Sequence, residues 1–195
     1  MMTATDRIAM HATDNQILAS CRAGDLKAFE QVYTLYERQV FRYAFHILGN
    51  RDEADDIKQE TFVKAYQAIS KFRGDSSLQT WLLKICGNLC RDKIKSWDRR
   101  KVQYDSRFDY DGFGGDSHLQ DPQLILERAE VTEKVMTALR GIPAPQREII
   151  ILSEIEDLSH EEISQILGCS RTSVKLRLFR ARKCLRERVQ ALMGS

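Results

Sequence analysis

Proline is scarce in this 195-residue chain, which has three: Pro122, Pro143 and Pro145. No segment alternates polar and apolar residues for long, and no Asn-Gly or Asp-Gly pair is flanked by such runs, so the marks of hairpins and sheets are missing. No stretch approaches the roughly 20 apolar residues needed to span a bilayer, which argues against membrane insertion. The N-terminal MMTATDRIAMHATD lacks an apolar signal segment, and the chain is expected in the cytoplasm. The five cysteines (Cys21, Cys86, Cys90, Cys169 and Cys184) are scattered and odd in number, unlike a disulfide framework. Cys86 and Cys90 stand at i,i+4 on an expected helix, but no His or second Cys pair lies near enough in sequence to complete a metal site. There is no phosphate-binding glycine loop, no zinc-ligand cluster and no nucleophile with a plausible base. Catalysis, cofactors and metals are therefore not expected.

What is present is helical. Hydrophobic residues make up 43% of the chain, enough to build cores, and charged residues 30%. Asp14 can cap a short helix ending near Gly24, and Asp25 the next, ending near Gly49. A third helix is predicted from Asp52 to Lys71. Phe72 to Ser77 reads as a loop, and a fourth helix follows to about Trp97. Residues 102–121 carry five Asp and three Gly without a helical stripe and read as a flexible acidic linker. Asp121-Pro122 then opens a helix ending near Gly141, and another runs from Gln146 to about Glu156. The fold class is all-α: two small helical domains, 14–101 and 122–195, joined by the linker.

Net charge is only +2, but its distribution is uneven. From Arg171 to Arg188 eight cations face Glu187 alone, and from Arg91 to Lys101 six cations face Asp92 and Asp98. Such clusters suit a phosphate backbone, although most charge runs are solvated helix faces.

The segment from Leu158 to Val174 has the layout of a helix-turn-helix. Ser159 and Glu162 can form a capping box; Ile163, Ile166 and Leu167 make an apolar face; Gly168 permits the turn; Ser170 caps the next helix. On a wheel of that last helix Val174, Leu178, Ala181, Leu185 and Val189 form the buried stripe. Thr172, Lys175, Leu176, Phe179, Arg180 and Lys183 point nearly opposite. Apolar Leu176 and Phe179 within a cationic row have little reason to face water, but a major groove offers thymine methyls beside phosphates and guanines. A protein-docking helix is the alternative.

In the N-terminal half, the third helix puts Ala54, Ile57, Thr61, Ala65, Ala68 and Phe72 on its core stripe. Asp56, Gln59, Glu60 and Val63 lie opposite, on a face that is either solvated or a docking site for a helical partner. The fourth helix turns Leu82, Ile85 and Leu89 inward and Lys84, Asn88, Arg91, Asp92, Lys95 and Arg99 outward. Its cations can track a backbone, while Asn and Asp can bond base edges. The preceding loop, with Phe72, Arg73 and Ser76, has small polar groups and amides able to surround an extruded base. Trp81 could stack on a base or belong to the core.

Three stretches together resemble a known family: Asp52-Glu-Ala-Asp-Asp-Ile-Lys-Gln-Glu-Thr-Phe-Val-Lys-Ala-Tyr66, Phe72-Arg-Gly-Asp-Ser-Ser-Leu-Gln-Thr-Trp-Leu82, and Leu158-Ser-His-Glu-Glu-Ile163 with Thr172-Ser-Val-Lys-Leu-Arg-Leu-Phe-Arg-Ala-Arg182. They are similar to the extracytoplasmic-function sigma factors of the sigma-70 family, over about residues 14–101 and 122–190. The resemblance implies a transcription initiation factor that directs core RNA polymerase to promoter DNA and does no chemistry itself. Asp56, Gln59, Glu60 and Val63 would contact the polymerase. The Phe72–Leu78 loop with Asn88 and Asp92, flanked by the cations Lys84, Arg91 and Lys95, would read and melt the minus-ten element. Arg171, Thr172, Ser173, Lys175, Leu176, Phe179, Arg180 and Lys183 would read the minus-thirty-five duplex. The linker would thread toward the polymerase active site, and an anti-sigma factor is an expected partner. The sequence departs from the family pattern at Lys58, usually apolar, at Leu176, often small and polar, and at Asp92, an Asn in some members. Two other readings stay open: a gene-specific regulator that binds DNA without being a polymerase subunit, and a helical enzyme using Cys86, Cys90 or a histidine.

Overall fold

The computed structural model describes residues 17–100 and 134–193, and every described element is helical. In order they are α1 (Leu26–Leu48), α2 (Arg51–Ala68) with a 3₁₀ turn at Ile69–Lys71, α3 (Leu78–Arg100), α4 (Ala144–Ile150) running into a π-helical turn at Ile151–Ile155, α5 (His160–Leu167) and α6 (Arg171–Met193). Residues 17–22 and 134–140 are also helical. The expected cap at Asp14, the linker at 102–121 and the Asp121-Pro122 helix start lie outside the described residues.

Local chemistry sets the boundaries. Asp25 accepts the Lys27 N–H at 2.9 Å to open α1, and Gly49, at φ 74°, closes it by donating to the Phe45 carbonyl. Asn50 then caps α2, accepting from Glu53 N–H at 2.9 Å, so that helix starts one residue before the expected Asp52. Helix α3 continues past Trp97 to Arg100. The helix expected from Gln146 begins two residues earlier, at Ala144. Pro145 falls in its first turn, where a missing N–H has no partner to lose, and the N–H groups of Gln146 and Arg147 bond the Pro143 carbonyl at 2.9 and 3.0 Å.

Helices α1, α2 and α3 pack on one another around Val32, Tyr36, Val40, Tyr43, Ala54, Ile57, Leu82 and Cys86. The sequence stripes for α2 and α3 are recovered in part: Ala68 and Ile85 are half-buried, while Phe62, Leu83, Cys86 and Cys90 join the core without having been expected there. In the C-terminal half, α4 and α5 both pack on α6 around Ile149, Leu152, Ile163, Ile166, Val174, Leu178 and Ala181. The two halves also touch: α5 lies against α3, and α1 against α4 and the π turn.

Candidate nucleic-acid interface

The turn between α5 and α6 has the expected construction. Ser159 Oγ accepts the Glu162 N–H, and the Glu162 carboxylate accepts the Ser159 N–H at 2.8 Å, completing the capping box. Gly168 takes φ 61°, a left-handed conformation that costs a glycine little, and bonds the Ser164 carbonyl. Ser170 Oγ then accepts the Ser173 N–H at 3.2 Å to start α6.

This turn aims the last helix. Val174, Leu178 and Ala181 are buried, while Leu185 and Val189, nearer the end of α6, are half-buried. Thr172, Lys175, Leu176, Phe179, Arg180 and Lys183 are all exposed, and so is Arg171; Ser173 is half-buried. Leu176 keeps 50% of its surface exposed and Phe179 69%, high values for large apolar side chains. Arg171 pairs with Glu161 at 3.3 Å and Lys183 with Glu187 at 3.9 Å, leaving these cations at the surface. Phe179, Lys175 and Lys183 line a 520 Å³ surface depression with His160, Arg182 and Arg186, a strongly cationic wall.

On α2 the face of Asp56, Gln59, Glu60 and Val63 is exposed throughout. Gln59 donates to Asp55 at 2.9 Å and Glu60 pairs with Lys64 at 3.2 Å, so the face is ordered by its own neighbours. Lys58, the departure from the family pattern, has its ammonium 2.5 Å from Asp55 and 5.7 Å from the centre of the Phe41 ring. The aromatic face and the carboxylate together give a charged head a partner beside the core. The hydrogen bond from Lys58 holds the Asp55 carboxyl below its usual range, against partial burial.

The loop before α3 is more closed than its composition suggests. Arg22 donates to the Phe72 carbonyl at 2.5 Å, a link across 50 residues that no local signal reveals. The Phe72 ring is buried and stacks on Trp81, centroids 4.7 Å apart and planes 26° from parallel. Phe72 thus belongs to the core and is unavailable to stack on a base; Trp81, half-buried, is its partner in the core. Arg73 and Asp75 are exposed and Ser76 half-buried, lining a 380 Å³ hollow with Lys71, Trp81, Lys84 and, from the other half of the chain, Gln165.

Along α3, Lys84, Asn88, Asp92 and Lys95 are exposed, as expected. Asp92 and Lys95 pair with each other at 3.5 Å. Arg91 departs from the expected outward row. It donates one nitrogen to Asn88 Oδ1 at 2.5 Å and another to Glu148 of α4. The reason is Glu148 itself: a carboxylate only 4% exposed needs charged and hydrogen-bonding partners, which Arg91 and Tyr43 Oη (2.9 Å) supply. Burial pushes the Glu148 carboxyl up, with Arg91 and Tyr43 opposing, and the Tyr43 phenol is pushed well above its ordinary value by burial and by that carboxylate.

Cys86 and Cys90 are fully buried, and burial pushes the Cys90 thiol well up. All five thiols are free, and no cluster of metal-ligating side chains occurs among the described residues. No described helix is long and apolar enough to cross a membrane.

Two packed helical halves, the second carrying a helix-turn-helix whose last helix exposes a basic row with two apolar side chains, have the layout of a DNA-binding protein. Comparison with known proteins narrows this. The Sigma-70 region 2 family matches residues 32–100, and Sigma-70 region 4 matches residues 132–185. The RNA polymerase sigma-H factor of Pseudomonas aeruginosa is 32% identical over 184 residues, covering 92% of this chain and 95% of that protein. The ECF RNA polymerase sigma-E factor of Escherichia coli K12 is 30% identical over 185 residues, covering 93% of this chain and 96% of that protein. Among solved structures, CnrH bound to the cytosolic domain of CnrY superposes with a TM-score of 0.67 at 25% identity, over 92% of this chain and 98% of that one. The sigma factor RpoE of Bartonella quintana, bound to the anti-sigma factor NepR, superposes with a TM-score of 0.68 at 28% identity, over 85% and 98%. The chain belongs to the extracytoplasmic-function branch of the sigma-70 family of RNA polymerase sigma factors, which are transcription initiation factors.

Proposed function

We propose that this chain docks on core RNA polymerase in the cytoplasm through the outer face of α2, reads the minus-thirty-five duplex with α6, and captures the melted minus-ten strand with α3 and the loop before it. The observation that carries this reading is the α6 row, in which Leu176 and Phe179 stand exposed among Lys175, Arg180 and Lys183. Cations there meet phosphates or guanine edges, and the apolar pair meets thymine methyls.

The two contacts act as one reader once the polymerase holds them at promoter spacing, because the second binding event then becomes intramolecular. Melting is driven by binding: a strand captured beside Lys84, Asn88 and Lys95 is withdrawn from the duplex. The chain contributes no bond-breaking chemistry. Asp56, Gln59, Glu60 and Val63 supply the polymerase contact, an ordered acidic and amide surface for a basic helical partner. An anti-sigma factor is the proposed regulator; the structurally similar RpoE of Bartonella quintana is bound to one, NepR.

Run-off transcription with purified core polymerase tests this function. Promoter-specific initiation that depends on the chain is expected. Tight duplex binding by the chain alone, with no initiation, would assign it to gene-specific regulators.

A further inference from the structure

We infer that the groove beside the C-terminal part of α3 is a small-molecule site, and that its ligand is an amphipathic carboxylate: an acyl chain carrying one charged head.

The groove has the size and the wall of such a site. Its volume is 530 Å³, within the range of about 300–1,000 Å³ common for small-ligand pockets. Ile47 of α1, Ile94 and Trp97 of α3, Pro145 of α4 and Leu167 of α5 supply its apolar lining. Ile47 and Trp97 are buried, while Ile94 and Leu167 are half-buried, so the lining is built into the fold. The Trp97 ring is only 9% exposed and leaves little face on which a base could stack. The rest of the lining is aliphatic, which suits a bendable acyl chain better than a flat ring.

The charges around this lining select the head group. Arg91, Lys95, Arg147 and Arg177 line the groove against Asp98 and Glu148. Glu148 already accepts from Arg91 and Tyr43, so that carboxylate is satisfied within the protein. Lys95, Arg147 and Arg177 then outnumber Asp98. Arg147 is 8% exposed, and its charge reaches farther there than it would in water. Arg177 is exposed, yet it lies close enough to oppose the upward push of burial on the Glu148 carboxyl, so its charge is felt inside the groove. Lys95 pairs with Asp92 at 3.5 Å, but these side chains are 70% and 75% exposed, and a pair so wet holds loosely. Lys95 and Arg177 can therefore turn to an incoming anion, and the arginine fork matches the two oxygens of a carboxylate. Asp98 in the same wall disfavours a head with two negative charges.

The site is separate from the α6 reading row and from the α2 face. Ile94, Arg147, Leu167 and Arg177 belong to neither. Lys95 is shared with the proposed minus-ten surface, but binding of the carboxylate does not depend on that role.

The test is isothermal titration calorimetry of the full chain with decanoate below its micelle concentration. Saturable binding of one decanoate per chain is expected. Decanol, which has the same tail without the charge, should bind at least about tenfold more weakly, because it forfeits the charge-assisted contacts. Adenosine monophosphate should also bind more weakly. Arg177→Glu should weaken decanoate binding at least about tenfold, since it sets a like charge against the head. Arg177→Lys should restore most of it, and Arg186→Glu, the same change in net charge on α6 outside the groove, should leave it as in the wild type. Ala144→Phe should abolish binding by filling the groove, with circular dichroism confirming wild-type helix content; Arg177→Glu, at an exposed position, decides the matter should that variant not fold. Binding that never saturates, or equal affinity for decanol, overturns the site. Wild-type affinity in Arg177→Glu or in folded Ala144→Phe overturns it too, and so does an equal loss in Arg186→Glu. Tighter binding of adenosine monophosphate overturns the carboxylate as the ligand. Run-off transcription by the wild-type chain is read separately, so the proposed function stands or falls independently of these results.

Discussion

Ser159 and Glu162 cap the same helix end reciprocally: the serine hydroxyl accepts the glutamate N–H, and the glutamate carboxylate accepts the serine N–H at 2.8 Å. The pair sets where α5 begins and therefore where Gly168 turns the chain into α6. Ser159→Ala should lower stability by about 1 kcal/mol, the usual cost of losing such a cap. Chemical denaturation followed by circular dichroism measures it, and no loss would show that Glu162 suffices alone.

Arg180 and Lys175 stand on the same exposed row of α6 but differ in what they can do. Arginine makes a planar bidentate contact with guanine, worth about 1–3 kcal/mol of discrimination, whereas lysine acts as a point charge. Arg180→Ala should weaken some promoter variants far more than others. Lys175→Ala should weaken all by a similar factor and flatten the salt dependence. Electrophoretic or run-off titration across substituted minus-thirty-five elements distinguishes the two, and uniform loss from Arg180→Ala would reassign it to a phosphate.

The α2 face predicts a separation of binding from stability. Gln59 and Glu60 are exposed, and the Glu60–Lys64 pair at 3.2 Å lies in water, where such pairs contribute between nothing and about 1 kcal/mol. Glu60→Lys should therefore leave thermal unfolding within a few degrees of wild type. Its affinity for core polymerase, measured by competition for holoenzyme formation, should fall at least about tenfold, since a like charge across an interface costs several kcal/mol. Unchanged affinity would move the polymerase contact off this face.

His46, on α1, is held neutral: burial, with Arg42 and then Arg140 adding positive charge, lowers its pKa from 6.5 to about 4. A depressed histidine favours the folded form above pH 6.5 and withdraws that contribution as pH falls toward 4. Relative to His46→Gln, the wild type should lose about 1.4 kcal/mol of stability between neutral pH and pH 5.5. Glu148, shifted upward, works in the opposite direction on acidification, but it is present in both proteins and cancels in the difference. Parallel stability–pH curves for the two proteins would mean His46 is not shifted.

Cys86 and Cys90 decide whether any thiol chemistry belongs to the function. Both are wholly buried, so Cys86→Ala and Cys90→Ala should each cost about 1 kcal/mol of packing and leave promoter-specific initiation intact. Loss of transcription from either change in a folded protein would revive a catalytic reading.

Periodicity and caps made much of the candidate surface legible. The period of α6 separates Val174, Leu178 and Ala181 from Lys175, Leu176, Phe179 and Arg180, and the structure exposes the second set. The face of Asp56, Gln59, Glu60 and Val63 follows from the same rule applied to α2. Phe72 carried two expectations, the core stripe of α2 by its period and a reading loop by its neighbours in sequence; Trp81 and the Arg22 bond hold it in the core, as the period had it.

The amino-acid order alone determined the helical class, the turn at Gly168 and the outward rows, because each depends on spacings of three or four residues and on caps formed by near neighbours. Only the tertiary structure decided that Arg91 serves Glu148 and that Arg42 and Gln39 serve Glu156. A buried carboxylate takes whichever donor the packing brings within reach, and partners 57, 114 or 117 residues away leave no periodic trace in the chain.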